Sequence, residues 1–112
     1  MKSHEIYIAH MTEAMEKIAA YIAGGESAFE SASIIQDAVV RNLEIIGEAA
    51  KRVPSHVRDA HPRVPWKRLA GLRDVLIHQY EGVDLGQVWR VASDVLPGIL
   101  RELRSMSEGG GT

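Results

Sequence analysis

Apolar side chains recur every three or four positions along most of the chain, and no segment sustains the two-residue alternation and turn signals of a hairpin. This pattern predicts an all-α bundle. A first helix is expected from about Ser3 to Ala23, with Ile8, Met11, Met15, Ile18 and Ile22 on one face, stopped by Gly24-Gly25. A second begins near Ser33, where Ser33 and Gln36 have capping-box spacing. It runs through Ile35, Val39, Asn42, Ile46, Ala49 and Val53 to Pro54. Asn42 is the one polar residue on that face. A connector with one short helical turn then leads to Pro65, which suits the first turn of a third helix ending near Tyr80, before Gly82. Asp84, with Gln87 three residues on, is expected to cap a last helix carrying Leu85, Val88, Ala92, Val95, Ile99 and Leu103, kinked at Pro97.

The 112 residues suffice for one domain, expected over 1–108, followed by a flexible glycine-rich tail over 109–112. With no cysteine in the chain, a disulfide scaffold and a thiolate metal site are excluded. No apolar run reaches membrane-spanning length, and no basic segment followed by an apolar stretch opens the chain. A protein that stays in the cytoplasm, with no membrane partner, is the expectation.

The net charge of -2 conceals a strong segregation. Residues 1–50 carry three basic and eight acidic side chains, residues 51–73 seven and one, and residues 74–112 three and six. Lys51, Arg52, Arg58, Arg63, Lys67, Arg68 and Arg73 thus concentrate positive charge in 23 residues of an acidic whole. Such a segment is either a solvated basic surface or the place where a polyanion is steered, with Lys51, Arg52, Arg63, Lys67 and Arg68 as its candidate contacts, which would be RNA contacts under the resemblance given below.

Chemistry-bearing side chains gather just after it, in Arg73-Asp74-Val75-Leu76-Ile77-His78-Gln79-Tyr80. A guanidinium can grip a phosphate, an imidazole can move protons near neutral pH, and a phenol can donate, accept or be modified. On a continuous helix Arg73 and Tyr80 fall near the apolar stripe of Leu69, Leu72 and Leu76. Arg73 and His78 would then stand roughly 140° apart, which is unfavourable for presentation from one face. Asp74, four residues before His78, would share its face and orient it. An arginine in an apolar stripe calls for a partner: solvent at the stripe's edge, a carboxylate such as Glu48, or the cleft of a two-fold dimer.

The order of Asn42-Leu43-Glu44-Ile45-Ile46-Gly47-Glu48-Ala49-Ala50-Lys51-Arg52, Val64-Pro65-Trp66, the Arg-x4-His-x-Tyr pattern, Val83-Asp84 and Val88-Trp89 resembles the HepT-like toxins of the HEPN superfamily. The resemblance runs from about Ile6 to Leu103. It implies a HEPN-type bundle of four to five helices, homodimeric, acting as the toxin of a type II/VII-like toxin-antitoxin pair. The implied activity is that of a metal-independent endoribonuclease without cofactor, which cleaves RNA by attack of the 2′-hydroxyl. Arg73 and His78 would be its catalytic residues, supported by Asp74 and Glu48. The resemblance also implies a minimal nucleotidyltransferase antitoxin that adenylylates the motif tyrosine, here Tyr80. Many relatives carry Asn where this chain has Asp74, and that departure keeps a second reading open: a non-catalytic helical dimer that binds a nucleotidyltransferase or nucleotides.

His4, His10, His56 and His61 lack metal-ligand spacing, so no metal site is expected. Gly24-Gly25 lacks the strand and lysine of a phosphate loop. Trp66 and Trp89 are expected as core or interface anchors, with base stacking a second role for Trp66 beside Lys67 and Arg68.

Overall fold

A computed structural model describes residues 3–78 and 82–109. It is a helical bundle in the order α1 (Ser3–Tyr21), α2 (Glu26–Ser31), α3 (Ser33–Arg52), α4 (Ser55–Ala60), α5 (Trp66–Ala70), α6 (Leu72–Leu76), β1 (Ile77–His78), β2 (Gly82–Val83), α7 (Leu85–Arg90) and α8 (Leu96–Gly109). Among the described residues no helix is long and apolar enough to cross a membrane.

The core lies between α1, α3 and α8, where the three-four spacing of the sequence becomes burial. Met11, Met15 and Ile18 of α1, Val39, Leu43 and Ile46 of α3, and Leu103 of α8 are sealed from water. Each such side chain contributes about 1.5–3 kcal/mol on leaving water. Asn42 is buried in the same layer and donates through Nδ2 to the Ala38 carbonyl at 2.9 Å, within its own helix.

Three of the following local features differ from the sequence expectations, and one, the cap at Asp84, agrees with them. The region between the first two long helices is structured: Gly25, at φ 94°, turns the chain into α2, and Phe29 of α2 is buried against Trp89, ring centroids 5.5 Å apart. The capping box at Ser33 does not form. Ala32 occupies the N-cap without a side-chain bond, and the Gln36 amide instead donates to the carbonyls of Phe29 and Glu30, closing the C-terminal end of α2. Asp84 does cap α7, its Oδ1 accepting from the Gln87 N–H at 3.1 Å. Between α7 and α8 the backbone widens into a π-helical stretch, Val91–Val95, with the Leu96 N–H donating to the Val91 carbonyl. Proline cannot close an ordinary helical bond and crowds the carbonyl four residues back, so the widened turn directly before Pro97 accommodates it without ending the helix.

The largest departure concerns the expected third helix. It breaks at Gly71 into α5 and α6 and stops at Leu76. Ile77 and His78 then pair antiparallel with Val83 and Gly82, and Gly82 takes φ 81°, a conformation that glycine adopts without a side-chain clash. Tyr80, and the expected tail beyond Gly109, lie outside the described residues.

Candidate functional site

The site is built on the exposed flank of α3. Arg41, Glu44, Ile45, Glu48, Ala49 and Arg52 recur along one face of the helix and form the floor of a cleft of about 400 Å³. Tyr7 and His10 of α1 form one wall, and Arg73 of α6 forms the other. Ala49 is buried and Ile45 half-buried, so the middle of the floor is apolar, while Arg41, Arg52 and Arg73 are exposed. Tyr7 and His10 meet edge to face, ring centroids 6.4 Å apart.

Gly47 explains why α6 can reach this flank. A Cβ there would lie 3.2 Å from the Leu69 carbonyl oxygen, so the glycine lets the backbone of α5 settle directly on α3. Leu69 and Leu72 are buried beneath, which fixes α5 and α6 and leaves Arg73 exposed at the cleft. The guanidinium of Arg73 thus lies beside the apolar layer rather than in it.

Glu48, a candidate partner of Arg73, lines the same cleft but pairs with Lys51 at 3.4 Å. No ion pair joins Glu48 to Arg73 among the described residues. Arg41, Arg52 and Arg73 likewise have no acidic partner there, and the cleft holds three guanidinium groups against the carboxylates of Glu44 and Glu48. Its local excess is positive although the chain as a whole is acidic.

His78 is not on a helix with Arg73. Its backbone lies in β1, opposite Gly82, two residues past the end of α6. The 140° separation expected from a continuous helix therefore does not describe the pair, and Asp74, exposed on α6, does not share a helix face with His78. The helix stops because five-residue α6, cut off by Gly71 and carrying the β-branched Val75 toward Ile77, has little intrinsic helical stability.

The remaining basic candidates divide between two places. Lys67 and Arg68 line a second cleft of about 530 Å³ with Ser55, Arg58, Asp59 and Trp66. Arg58 Nε is buried there without a hydrogen-bond partner. Arg63 instead pairs with Glu102 at 3.7 Å, in a largely exposed ion pair. Trp66 is not a stacking platform: it is buried, and its indole N–H donates to the His61 carbonyl at 3.0 Å. Among the described residues no three His, Cys, Asp or Glu side chains gather as a metal-ligand set. His4 and His56, far apart in sequence, do meet edge to face at 6.5 Å.

Tyr7, His10 and Arg41 are cleft residues that the sequence motif did not indicate. The recurrence of Arg41, Glu44, Glu48 and Arg52 along one face of α3 was the available signal.

A family model described as ribonuclease HepT-like matches residues 11–106 of the chain. Among curated relatives, the chain is 39% identical over 101 residues to a Thermococcus cleftensis protein named "Probable ribonuclease HepT", covering 88% of this chain and 90% of that one. It is 40% identical over 108 residues to a Methanocaldococcus jannaschii protein named "Gamma-glutamylcyclotransferase and putative RNase", covering 96% of this chain. A second protein of that organism, named "Putative RNase", is 50% identical over 72 residues, 64% of this chain. The chain spans about half (49%) of the former's length and 60% of the latter's. No solved structure matches the chain at a significant level.

Proposed function

Because the chain belongs to the ribonuclease HepT-like family, we propose that it is an endoribonuclease and the toxin of a toxin-antitoxin pair, with Arg73 and His78 as its catalytic residues. The observation that carries this reading is the cleft itself. Arg73 lies exposed at its wall, unpaired among the described residues, and His78 follows within a short ladder that immediately succeeds its helix.

The chemistry that fits is transesterification without a metal. The ribose 2′-oxygen attacks the adjacent phosphorus, the bond from phosphorus to the 5′-oxygen breaks, and the products carry a cyclic phosphate and a free 5′-hydroxyl. A base takes the 2′-proton, an acid protonates the leaving oxygen, and positive charge stabilises the phosphorane. Arg73 supplies charge and His78 supplies proton transfer. One imidazole serves poorly as base and acid at once, so a homodimer that brings two His78 residues to one phosphate completes the reaction. Asp74 and Glu48 act as supporting groups.

The regulatory half of the reading concerns Tyr80. A minimal nucleotidyltransferase antitoxin adenylylates its hydroxyl, and the added anionic nucleotide opposes RNA entry into a positive site. The pair works in the cytoplasm.

The test is cleavage of a labelled RNA pool in EDTA by purified, unmodified protein, with product ends identified chemically. Wild type is expected to yield cyclic-phosphate ends, and Arg73→Ala and His78→Ala to lose roughly 10²-fold or more in rate while remaining folded. No cleavage by folded, unmodified wild type would favour the non-catalytic binding module. Incubation with ATP and the nucleotidyltransferase should add adenylyl mass to wild type and not to Tyr80→Phe; equal labelling of Tyr80→Phe would remove Tyr80 from the scheme.

A further inference from the structure

We infer that the cleft between α1, α3 and α6 is a binding groove for single-stranded RNA, in which Arg41 and Arg52 hold phosphates on either side of Arg73 and the Tyr7–His10 pair receives an unstacked base. The identity of the strand rests on the ribonuclease reading. The groove rests on the arrangement of the side chains.

Three features select this occupant. The first is charge: Arg41, Arg52 and Arg73 all line the cleft and have no ion-pair partner among the described residues, whereas Glu48 is engaged by Lys51. Three unpaired guanidinium groups around one cleft suit a polyanion, because each offers a planar fork to phosphate oxygens. The second is length. Arg41 and Arg52 are eleven residues apart on α3, so their backbones are separated by roughly 16 Å along the helix axis. A single phosphate cannot span that separation; a strand can. The third is the wall. Tyr7 and His10 set an edge-to-face aromatic pair beside the apolar middle of the floor, Ile45 and Ala49. Aromatic rings next to a cationic track hold bases that are free of a duplex, since only an unstacked base exposes its face. A plain acidic peptide would use the arginines and leave the aromatic wall idle.

The division of labour follows. Arg73 belongs to the reacting phosphate, while Arg41 and Arg52 position the strand through the phosphates beside it. Tyr7 adds affinity that does not depend on charge.

The experiment measures binding of a short fluorescein-labelled single-stranded oligoribonucleotide by anisotropy across a salt series, in a His78→Ala background so that cleavage does not interfere. Arg41→Ala is expected to weaken binding about tenfold at low salt and to reduce the steepness of the log–log salt dependence by about 0.7, the value for one lost phosphate contact on a single strand. Tyr7→Ala should weaken binding several-fold with the salt slope unchanged, and Tyr7→Phe should bind as the parent does. Arg101→Ala, which removes an arginine lining none of the clefts described, is the charge control. Circular dichroism melts and sedimentation accompany each variant. Affinities of Arg41→Ala and Tyr7→Ala equal to the parent's would overturn the groove, as would losses that follow a change in oligomeric state, which would make the face a contact between copies. Equal competition by an acidic peptide would also overturn it. If wild type binds through these residues yet cuts no RNA, the ribonuclease reading fails and the groove stands; if it cuts while the variants bind normally, the reverse holds.

Discussion

Single residues in this protein often derive their meaning from what they allow a neighbouring backbone to do. Gly47 is the clearest case, because its missing Cβ leaves room for the Leu69 carbonyl and thereby sets the depth at which α5 rests on α3. In an ordinary helix interior, Gly→Ala raises stability by about 1 kcal/mol. Here the added methyl would meet a carbonyl oxygen at 3.2 Å, and the buried Leu69 beneath restricts how far α5 can retreat. Gly47→Ala is therefore expected to lose the usual gain and to destabilise by about 1 kcal/mol, within the range for overpacked contacts. Urea denaturation compares the two directly, and a variant more stable than wild type would show that α5 yields easily. Because the same contact seats α6, Gly47→Ala should also weaken function at Arg73, without having touched the cleft.

At the scale of elements, long helices were legible in the sequence; of the short ones, the turn after Pro54, now α4, was expected, whereas α2 was not. α1 and α3 each expose one face and bury the other over about five turns, so Met11, Met15, Val39, Leu43 and Ile46 repeat often enough to define a period. α2 spans six residues and offers Phe29 as its one large apolar side chain, too little for periodicity. The break at Gly71 and the ladder at Ile77–His78 were hidden for a related reason. Leu69, Leu72 and Leu76 keep helical spacing across the break, and a two-residue strand has no pattern of its own. Caps depend on which partners folding brings near: the Gln36 amide meets the open carbonyls of α2 and no box forms with Ser33, whereas Asp84 accepts from the Gln87 N–H as its spacing suggests. Asp84→Ala should cost about 1 kcal/mol, the common value for a lost N-cap, with Asp84→Asn recovering most of it. A thermal melt of Asp84→Ala coinciding with wild type would show that the cap contributes nothing to the stability of α7.

Over the whole molecule, the sequence revealed how charge is distributed along the chain but not how folding would divide it in space. The segment 51–73 carries seven basic residues, and the fold sends them to different places. Arg52 and Arg73 face the cleft on α3, Lys51 pairs with Glu48, Arg58, Lys67 and Arg68 surround the second cleft, and Arg63 goes to Glu102. Arg73 could be picked out because it stands in a motif; Tyr7, His10 and Arg41 could not, since only the packing of α1 and α6 around α3 brings them beside it. This separation has a measurable consequence under the ribonuclease proposal. If the second cleft merely adds to the field, Lys67→Ala with Arg68→Ala should weaken RNA binding to the same degree for every sequence. It should also lower the steepness of the salt dependence by at most about 1.4, twice the single-strand value per contact, while leaving the maximal cleavage rate unchanged. Removing Arg41 in addition should then be additive in free energy, because groups in separate clefts with no shared partner couple weakly. A strongly non-additive triple variant would mean that one strand spans both clefts at once, and the molecule would have a continuous track from Lys67 and Arg68 to Arg73 instead of one groove aided by a distant positive field.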